Sequence, residues 1–344
     1  MYPPEPHQFP EAIPPQVMLM QMATSNWVSQ SIYVTAKLGI ADLLADGAKN
    51  YTELAAATKT NAPALFRLLR AVASLGILTE WEPGYFDLTP MGAYLRTDIP
   101  DSMNAISIMN GEEQYRAWGD LRYSIETGKS AFDRVYGMPI FDYLRQNPAA
   151  GEVFDRAMTT HSTIEIPALV TGYDFAGIDT LVDVAGGLGS TLSAILEANP
   201  QLQAILFDVE EVIATATPLI ARSNVAERCR LVSGDFFKSV PTGGDVYMLK
   251  HIIHDWDDDR SISILQNCHA AMSAGSKLLL IEQVIPPGND PFVGKLIDLN
   301  MLVCQAGCER TEDEYRSLLQ RSGFELTQTI FTHAPTSIIE AIRL

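Results

Sequence analysis

Along residues 16–38 the apolar side chains Met18, Met22, Val28, Ile32, Tyr33 and Ala36 recur at roughly helical spacing, and Gly39 follows as a stop. The pattern predicts one Met-rich helix carrying Trp27. Before it, Pro3, Pro4, Pro6, Pro10, Pro14 and Pro15 deny residues 1–15 a helix and predict an extended arm. Residues 52–58 read as a short helix, Asn61 as a turn, and residues 62–75 as a second helix with Pro63 in its first turn. Two short runs, 77–81 and 85–88, flank Pro83-Gly84 and predict a β-hairpin. Helix, turn, helix, wing is the winged-helix order.

Residues 101–175 have helical segments without strand alternation, among them 140–144 and 153–158. The texture changes from Thr180 onward. Short apolar runs at 181–184, 204–209, 229–232, 245–253, 277–284, 324–331 and 337–344 alternate with helical stretches. Nearly continuous apolar strands separated by helices predict an α/β domain whose parallel sheet is covered on both faces.

Composition narrows the function. A chain of 344 residues with 47% hydrophobic and 19% charged residues has material for one large or two medium domains and too much apolar content for general disorder. Asp and Glu number 42 against 24 Lys and Arg, a net charge of −18, so the long-range field repels nucleic acid and anionic membranes. The helix that would read DNA begins Ala62-Pro63-Ala64-Leu65-Phe66, which offers no base-reading side chains, so the winged-helix region is expected to be structural or dimerising. No apolar run reaches the roughly 18 residues of a membrane span, and residues 1–15 lack a basic region followed by an apolar one. A cytoplasmic protein with no membrane partner is expected. Cys229, Cys268, Cys304 and Cys308 form no Cys-x-x-Cys pair, read as reduced thiols, and no metal site is expected.

The chemistry concentrates at the carboxyl ends of the expected strands. The first strand runs into Asp183-Val184-Ala185-Gly186-Gly187-Leu188-Gly189-Ser190 and then a helix, so the backbone can approach a ligand closely above free helix N–H groups. Asp208 ends the second strand, nineteen positions beyond Gly189, where a carboxylate can accept both ribose hydroxyl protons. Gly234-Asp235-Phe236 follows the third strand with an acceptor and an aromatic face for an adenine ring. After the fourth strand, alternation would put Lys250, Ile252 and His254 on one side. Glu282 near the end of the fifth strand and Glu309 in a later loop supply carboxylates, and an imidazole flanked by carboxylates is how a general base near neutral pH is built. Asp255, Asp257, Asp258 and Asp259 precede a helical stretch and read as helix capping rather than a metal cluster.

This ordered set, with Leu249-Lys250-x-x-x-His254-Asp255-Trp256 and Glu309-Arg310-Thr311, resembles the motifs of the S-adenosylmethionine-dependent O-methyltransferases of the caffeic acid, acetylserotonin and hydroxyneurosporene type. Phe154-Asp155-Arg156-Ala157-Met158-Thr159-Thr160-His161-Ser162 is similar to that family's acceptor-pocket helix, and the resemblance spans nearly the whole chain. It implies a Rossmann-like methyltransferase sheet of seven mostly parallel strands over residues 106–344, with 106–175 helical and contributing to the acceptor pocket. It also implies a mainly helical, winged-helix-like dimerisation domain over residues 1–105, and hence a homodimer. Gly186, Gly187, Gly189, Asp208, Val209, Gly234, Asp235, Phe236 and Lys250 would bind S-adenosylmethionine. Phe154, Met158, His161, Asp255, Asn300 and Met301 would line the pocket for a hydroxylated aromatic small molecule. His254 would be the base, bracketed by Glu282 and Glu309. Two positions depart from the family pattern: Ala185 and Ala306 stand where glycine is common.

The implied reaction needs no metal. A phenol with a pKa of about 10 gives up its proton to His254 as its oxygen attacks the sulfonium methyl in line. A nicotinamide-dependent oxidoreductase would share Asp208, but Leu192 stands where its third glycine belongs. A transcription regulator would use the winged helix instead. A relative that keeps the cofactor and catalyses hydroxylation or a pericyclic step would carry the same cofactor motifs.

Overall fold

The computed structural model describes residues 13–344, so the expected arm lies, up to residue 12, outside the described residues. The chain divides into two compact units, the first ending at Glu112 and the second beginning at Glu113.

The first unit opens on α1 (Pro15–Ala23) and α2 (Ser25–Lys37). These replace the single helix expected over residues 16–38. The break falls at Thr24, whose φ of −104° and ψ of 8° leave the helical range while its N–H still donates to the Met20 carbonyl at 3.1 Å. Helix α1 buries none of its residues, and Met18, Leu19, Met20 and Met22, with Trp27 and Val28 of α2, are exposed. After α3 (Ile40–Leu43) and β1 (Lys49–Asn50), α4 (Tyr51–Thr58) starts in a capping box made by Asn50 and Glu53. Helix α5 (Ala62–Ser74) is capped by Asn61, which accepts from the Ala64 N–H, and it buries Leu65, Leu69 and Val72. Strands β2 (Leu78–Glu82) and β3 (Tyr85–Leu88) form the expected hairpin, and β1 joins its edge in the order β1-β3-β2. Helix α6 (Asn104–Gly111) closes the unit, and the buried Asn104 amide donates to the carbonyls of Ala36 and Leu95.

The second unit begins with α7 (Glu113–Trp118), α8 (Leu121–Thr127), α9 (Ala131–Tyr136), α10 (Ile140–Gln146) and the long α11 (Pro148–Gly172). Strands and helices then alternate: β4 (Thr180–Val184), α12 (Ser190–Ala198), β5 (Gln203–Asp208), α13 (Glu210–Ile220), β6 (Cys229–Ser233), β7 (Val246–Lys250), α14 (Asp258–Ala271) and β8 (Lys277–Glu282). Helices α15 (Gly294–Gln305) and α16 (Glu312–Arg321) precede β9 (Phe324–Phe331) and β10 (Ser337–Arg343).

The seven strands order as β6-β5-β4-β7-β8-β10-β9. All neighbours are parallel except β10, which runs antiparallel to both β8 and β9. The chain moves outward from β4 to β6 and then returns to β7, so the carboxyl ends of β4 and β7 meet where the strand order reverses. Both faces are buried: Val182, Val184, Phe207, Tyr247 and Leu280 lie in one core, and Leu181, Leu206, Met248, Leu279 and Ile281 in the other. Two expected strands are shorter than their apolar runs. The run 245–253 leaves the sheet after Lys250, because His251 takes a left-handed φ of 55° and a helical turn, Ile253–Asp255, follows. The run 277–284 ends at Glu282, with Val284 making only a bridge to Arg310.

Candidate active site

The turn from β4 into α12 is built for close approach. A Cβ on Gly186 would overlap Asp183 and Leu206, whereas Gly187, at φ 61°, has nothing within 4 Å of the place its Cβ would occupy. The first glycine packs the turn and the second faces open space. Gly189 caps α12 in the left-handed conformation with no side-chain cap, leaving the first N–H groups of the helix to a ligand. Ala185 adopts φ 59°, the conformation that explains the family's preference for glycine there.

Asp208 closes this loop from the side. Its Oδ2 accepts from the Gly187 N–H at 2.9 Å and its Oδ1 from the Val209 N–H at 2.7 Å, while its carbonyl accepts from Gly234 at 2.9 Å. Burial raises the Asp208 carboxyl against those two amide bonds. Asp183 is fully enclosed; burial outweighs the Lys250 charge and pushes it up to about 7, and its Oδ2 has no partner. Phe236 lies edge-on to Phe237 at 4.8 Å and to Trp256 at 6.2 Å. Asp235 turns toward the surface, where its carboxylate accepts from the Phe237 N–H and pairs with Lys238.

His254 is held by carboxylates on two sides. Its Nδ1 lies 2.8 Å from Glu309 Oε1 and 3.4 Å from Glu282 Oε2, and its Nε2 lies 3.5 Å from Asp255 Oδ1. The Glu282 side chain is fully buried, and its Oε1 accepts from the Ile252 and Ile253 N–H groups at 3.1 and 2.8 Å. Those bonds turn the chain out of β7 and into the His254 turn. Strand alternation therefore does not set the direction of His254, as expected from the sequence; the Glu282 carboxylate and the left-handed His251 do. Burial alone would lower the His254 imidazole, but Glu282, Asp255 and Glu309 outweigh it and push it up to about 10. Burial raises Glu282, yet the charge of His254 and the contacts of His251 bring it below the usual range; for Glu309 burial prevails and it is raised. Glu309 makes the direct hydrogen bond to Nδ1, and Glu282 adds a fully buried carboxylate 3.4 Å from the same nitrogen.

Three further residues complete the arrangement: Arg310, noted in the sequence only as part of a motif, and Glu165 and His251, which sequence reasoning did not single out. Arg310, 2% exposed, donates to the carbonyls of Ile253 and Trp256 and pins the His254 turn from below. Glu165, on α11, pairs with Lys250 Nζ at 3.0 Å and His251 Nε2 at 2.8 Å. His251 stacks on His254 with ring centroids 5.1 Å apart and an interplanar angle of 22°. Only the His-x-x-His spacing could have drawn attention to His251; nothing near Glu165 marks it as a partner of residues so far along the chain. Of the acidic run, Asp257 caps α14 by accepting from the Arg260 N–H, whereas Asp255 joins the His254 cluster.

The acceptor-side candidates fall on α11 and α15. Lys250 Nζ donates to Ser162 on α11, and His161, whose imidazole is lowered chiefly by burial, faces the same charges of Glu165, His251 and Lys250. Phe154 is half-buried edge-on to Phe141 at 6.2 Å, and Met158 follows one turn later, also half-buried. On α15, Met301 is buried, and Asn300 Oδ1 accepts from Trp118 Nε1 at 2.7 Å, which leaves the Asn300 amide N–H groups turned away from Trp118. Ala306 ends α15 at φ 58°, and the loop beyond it returns to His254: Cys308 N–H donates to the His254 carbonyl at 2.9 Å, and a Cβ on Gly307 would overlap that carbonyl.

A doubly covered sheet with a glycine turn, a strand-end carboxylate and a carboxylate-bracketed imidazole defines a Rossmann-like group-transfer enzyme. The O-methyltransferase domain family matches residues 118–325 and the O-methyltransferase dimerisation domain matches residues 20–98. A phenazine O-methyltransferase of Lysobacter antibioticus is 48% identical over 330 residues, covering 96% of this chain and 97% of that protein. An 8-amino-8-demethylriboflavin N,N-dimethyltransferase of Streptomyces davaonensis is 36% identical over 328 residues, 94% of each chain. An O-methyltransferase from neocarzinostatin biosynthesis, solved with S-adenosylmethionine and 2-hydroxy-5-methyl naphthoic acid, superimposes with a TM-score of 0.82 at 30% identity, covering 92% of this chain and 96% of that one. The chain belongs to the O-methyltransferase family, as its motifs led one to expect. Among the described residues no helix is long and apolar enough to cross a membrane.

Proposed function

We propose that the protein is an S-adenosylmethionine-dependent O-methyltransferase that methylates an aromatic hydroxyl of a secondary-metabolite-like small molecule, with His254 as the general base. The observation that carries this reading is His254 itself, fixed through Nδ1 by Glu309 and Glu282 at the same sheet edge as Lys250 and the glycine turn. The cofactor fits the residues present: Gly187 fronts open space, the α12 amides are uncapped, and the buried Asp183 Oδ2 has no protein partner. When bound, S-adenosylmethionine supplies an electrophilic sulfonium methyl group. Gly186, Gly187 and Gly189 would hold its methionine part, Asp208 and Val209 its ribose, Gly234, Asp235 and Phe236 its adenine, and Lys250 would contact it from the end of β7.

With Nδ1 donating to Glu309, His254 presents Nε2 to the acceptor and removes the hydroxyl proton there. Its raised affinity for protons, near 10, matches that of a phenol at about 10, so the proton passes between the two oxygen- and nitrogen-bound states with little difference in energy. The same match makes the free ring mostly cationic at neutral pH, and turnover rises as pH climbs. Phe154, Met158, His161, Asn300 and Met301 border the acceptor, and holding donor and acceptor in line supplies much of the acceleration. Phenazine-, naphthoate- and benzoate-like hydroxylated rings are the acceptor class, in keeping with the relatives' names. The exposed apolar face of α1 and α2, most of it within the matched dimerisation domain of residues 20–98, supports a homodimer.

The test is incubation with methyl-labelled S-adenosylmethionine and a panel of hydroxylated phenazines, naphthoic acids and phenols, with product analysis separating O-methylation from N-methylation and from a non-methylating reaction. His254→Gln is expected to keep cofactor binding and lose about 10²–10⁴ in turnover. A folded, cofactor-binding variant with parental turnover at neutral pH rejects the base role.

A further inference from the structure

The second histidine of the cluster has a place in the reaction that the base alone does not explain. His251 Nε2 sits on Glu165 at 2.8 Å, and Glu165 is drawn down to about 2 because the charges and hydrogen bonds of His251 and Lys250 outweigh its burial. The other ring nitrogen, Nδ1, is buried without a hydrogen bond, 3.8 Å from Glu282 Oε2, which is also buried without one. His254 Nδ1 approaches the same Glu282 oxygen at 3.4 Å. One carboxylate oxygen thus stands between two nearly parallel imidazoles. The chain reaches this arrangement by forcing a non-glycine residue into a left-handed conformation at His251, a cost of about 1–2 kcal/mol that the surrounding contacts must offset.

We propose that His251, seated on Glu165, is a positioning residue for methyl transfer: it shares Glu282 with His254 and so prevents that carboxylate from pairing with the base alone. The inference rests on His254 acting as the base. The groups facing His251 are Lys250 and His254 on its own segment, Glu165 and His161 from α11, Glu282 from β8, and, at longer range, Asp255 and Glu309. Among them Glu165 and Glu282 favour the His251 cation over its burial. While it holds its proton, His251, stacked on His254, opposes a second positive charge on the base. It therefore restrains the proton affinity that Glu282, Glu309 and Asp255 would otherwise raise further. Without it, Glu282 becomes an undivided counter-ion, and fewer free sites hold a neutral His254 at neutral pH.

The test compares His251→Phe, which keeps the stacked ring and loses both nitrogens, with His251→Asn, which loses the ring but suits a left-handed backbone. Histidine ring resonances of the full-length protein are titrated by NMR, His254 being assigned by its loss in His254→Gln. In both variants the His254 titration is expected to move up, by at most about 2.4 pH units, the Coulomb ceiling for one full charge near 5 Å in a medium of effective dielectric about 20, and by less where His251 has already lost its proton. Turnover of a phenol at pH 7 is expected to fall several-fold in parallel. A His254 titration in His251→Phe that superimposes on the parent's, with the protein folded, overturns the proposal and reduces His251 to packing. The ring titration needs no turnover, so an inactive parent refutes the methyltransferase reading, and the positioning role with it, whereas an unmoved His254 titration in an active parent refutes the positioning role alone.

Discussion

Replacing Glu282 with Gln tests the electrostatic heart of the site. Gln keeps an oxygen for the Ile252 and Ile253 N–H groups, so the turn that aims His254 survives, but the charge 3.4 Å from Nδ1 is gone. Coulomb's law at that distance with an effective dielectric near 20 gives a ceiling of about 5 kcal/mol; Glu309 and Asp255 take up part of the loss, so a fall of about 1–3 units is expected. His254 then titrates near 7–9 instead of about 10. With a simple phenol of pKa about 10, kcat/KM of the parent climbs with pH to near 10, whereas Glu282→Gln levels off one to three units earlier. Stability follows the same sign. A ring whose folded affinity exceeds its unfolded value near 6.5 stabilises the fold fully below that pH, and the contribution is lost as pH rises through about 10 in the parent, earlier in the variant. Urea midpoints measured from pH 6 to 10 give an independent reading. A variant whose kcat/KM still climbs to about 10 would show that Glu282 is not the counter-ion of the base, and the assignment would fall.

Other consequences can be measured alongside it. Asp208→Asn is expected to weaken S-adenosylmethionine binding by at least about tenfold, since a charged acceptor contributes roughly 1.5–3 kcal/mol per hydrogen bond; unchanged affinity by calorimetry refutes the ribose role. Ala306→Gly is expected to raise the Tm by about 1–4 °C, because removing a left-handed alanine relieves about 1–2 kcal/mol and the added chain freedom returns about 0.4–1; a lower Tm contradicts the backbone argument. A Met20→Glu, Trp27→Glu double variant is expected to sediment as a monomer if the exposed face of α1 and α2 is the dimer interface, and a parental sedimentation coefficient excludes that face.

Much of the candidate site was legible in the chain because its groups lie in short local motifs at strand ends. Gly186-Gly187-x-Gly189 announces a tight turn, Asp208 and Gly234 follow at the next two strand ends, and the backbone bonds from Gly187, Val209 and Gly234 to Asp208 join what the sequence had placed in order. The positions of Glu282 and Glu309 near a histidine were also expected. The direction of His254 was not, since period-two alternation holds only while a strand continues, and β7 ends at Lys250. Likewise the break in the first helix is a change of backbone angle at the single residue Thr24, which helical spacing of apolar positions does not report.

By itself the sequence determined the alternation of strands and helices, the glycine turn, the acidic strand ends and the family, because burial pattern and turn chemistry act within a few residues of one another. Only the tertiary structure decided which charges share one enclosure. Glu165 and His251, 86 positions apart, and His254 and Glu309, 55 apart, meet because packing brings α11 and the loop after α15 onto the end of β7, and proton affinities there are set by distance through the fold rather than along the chain.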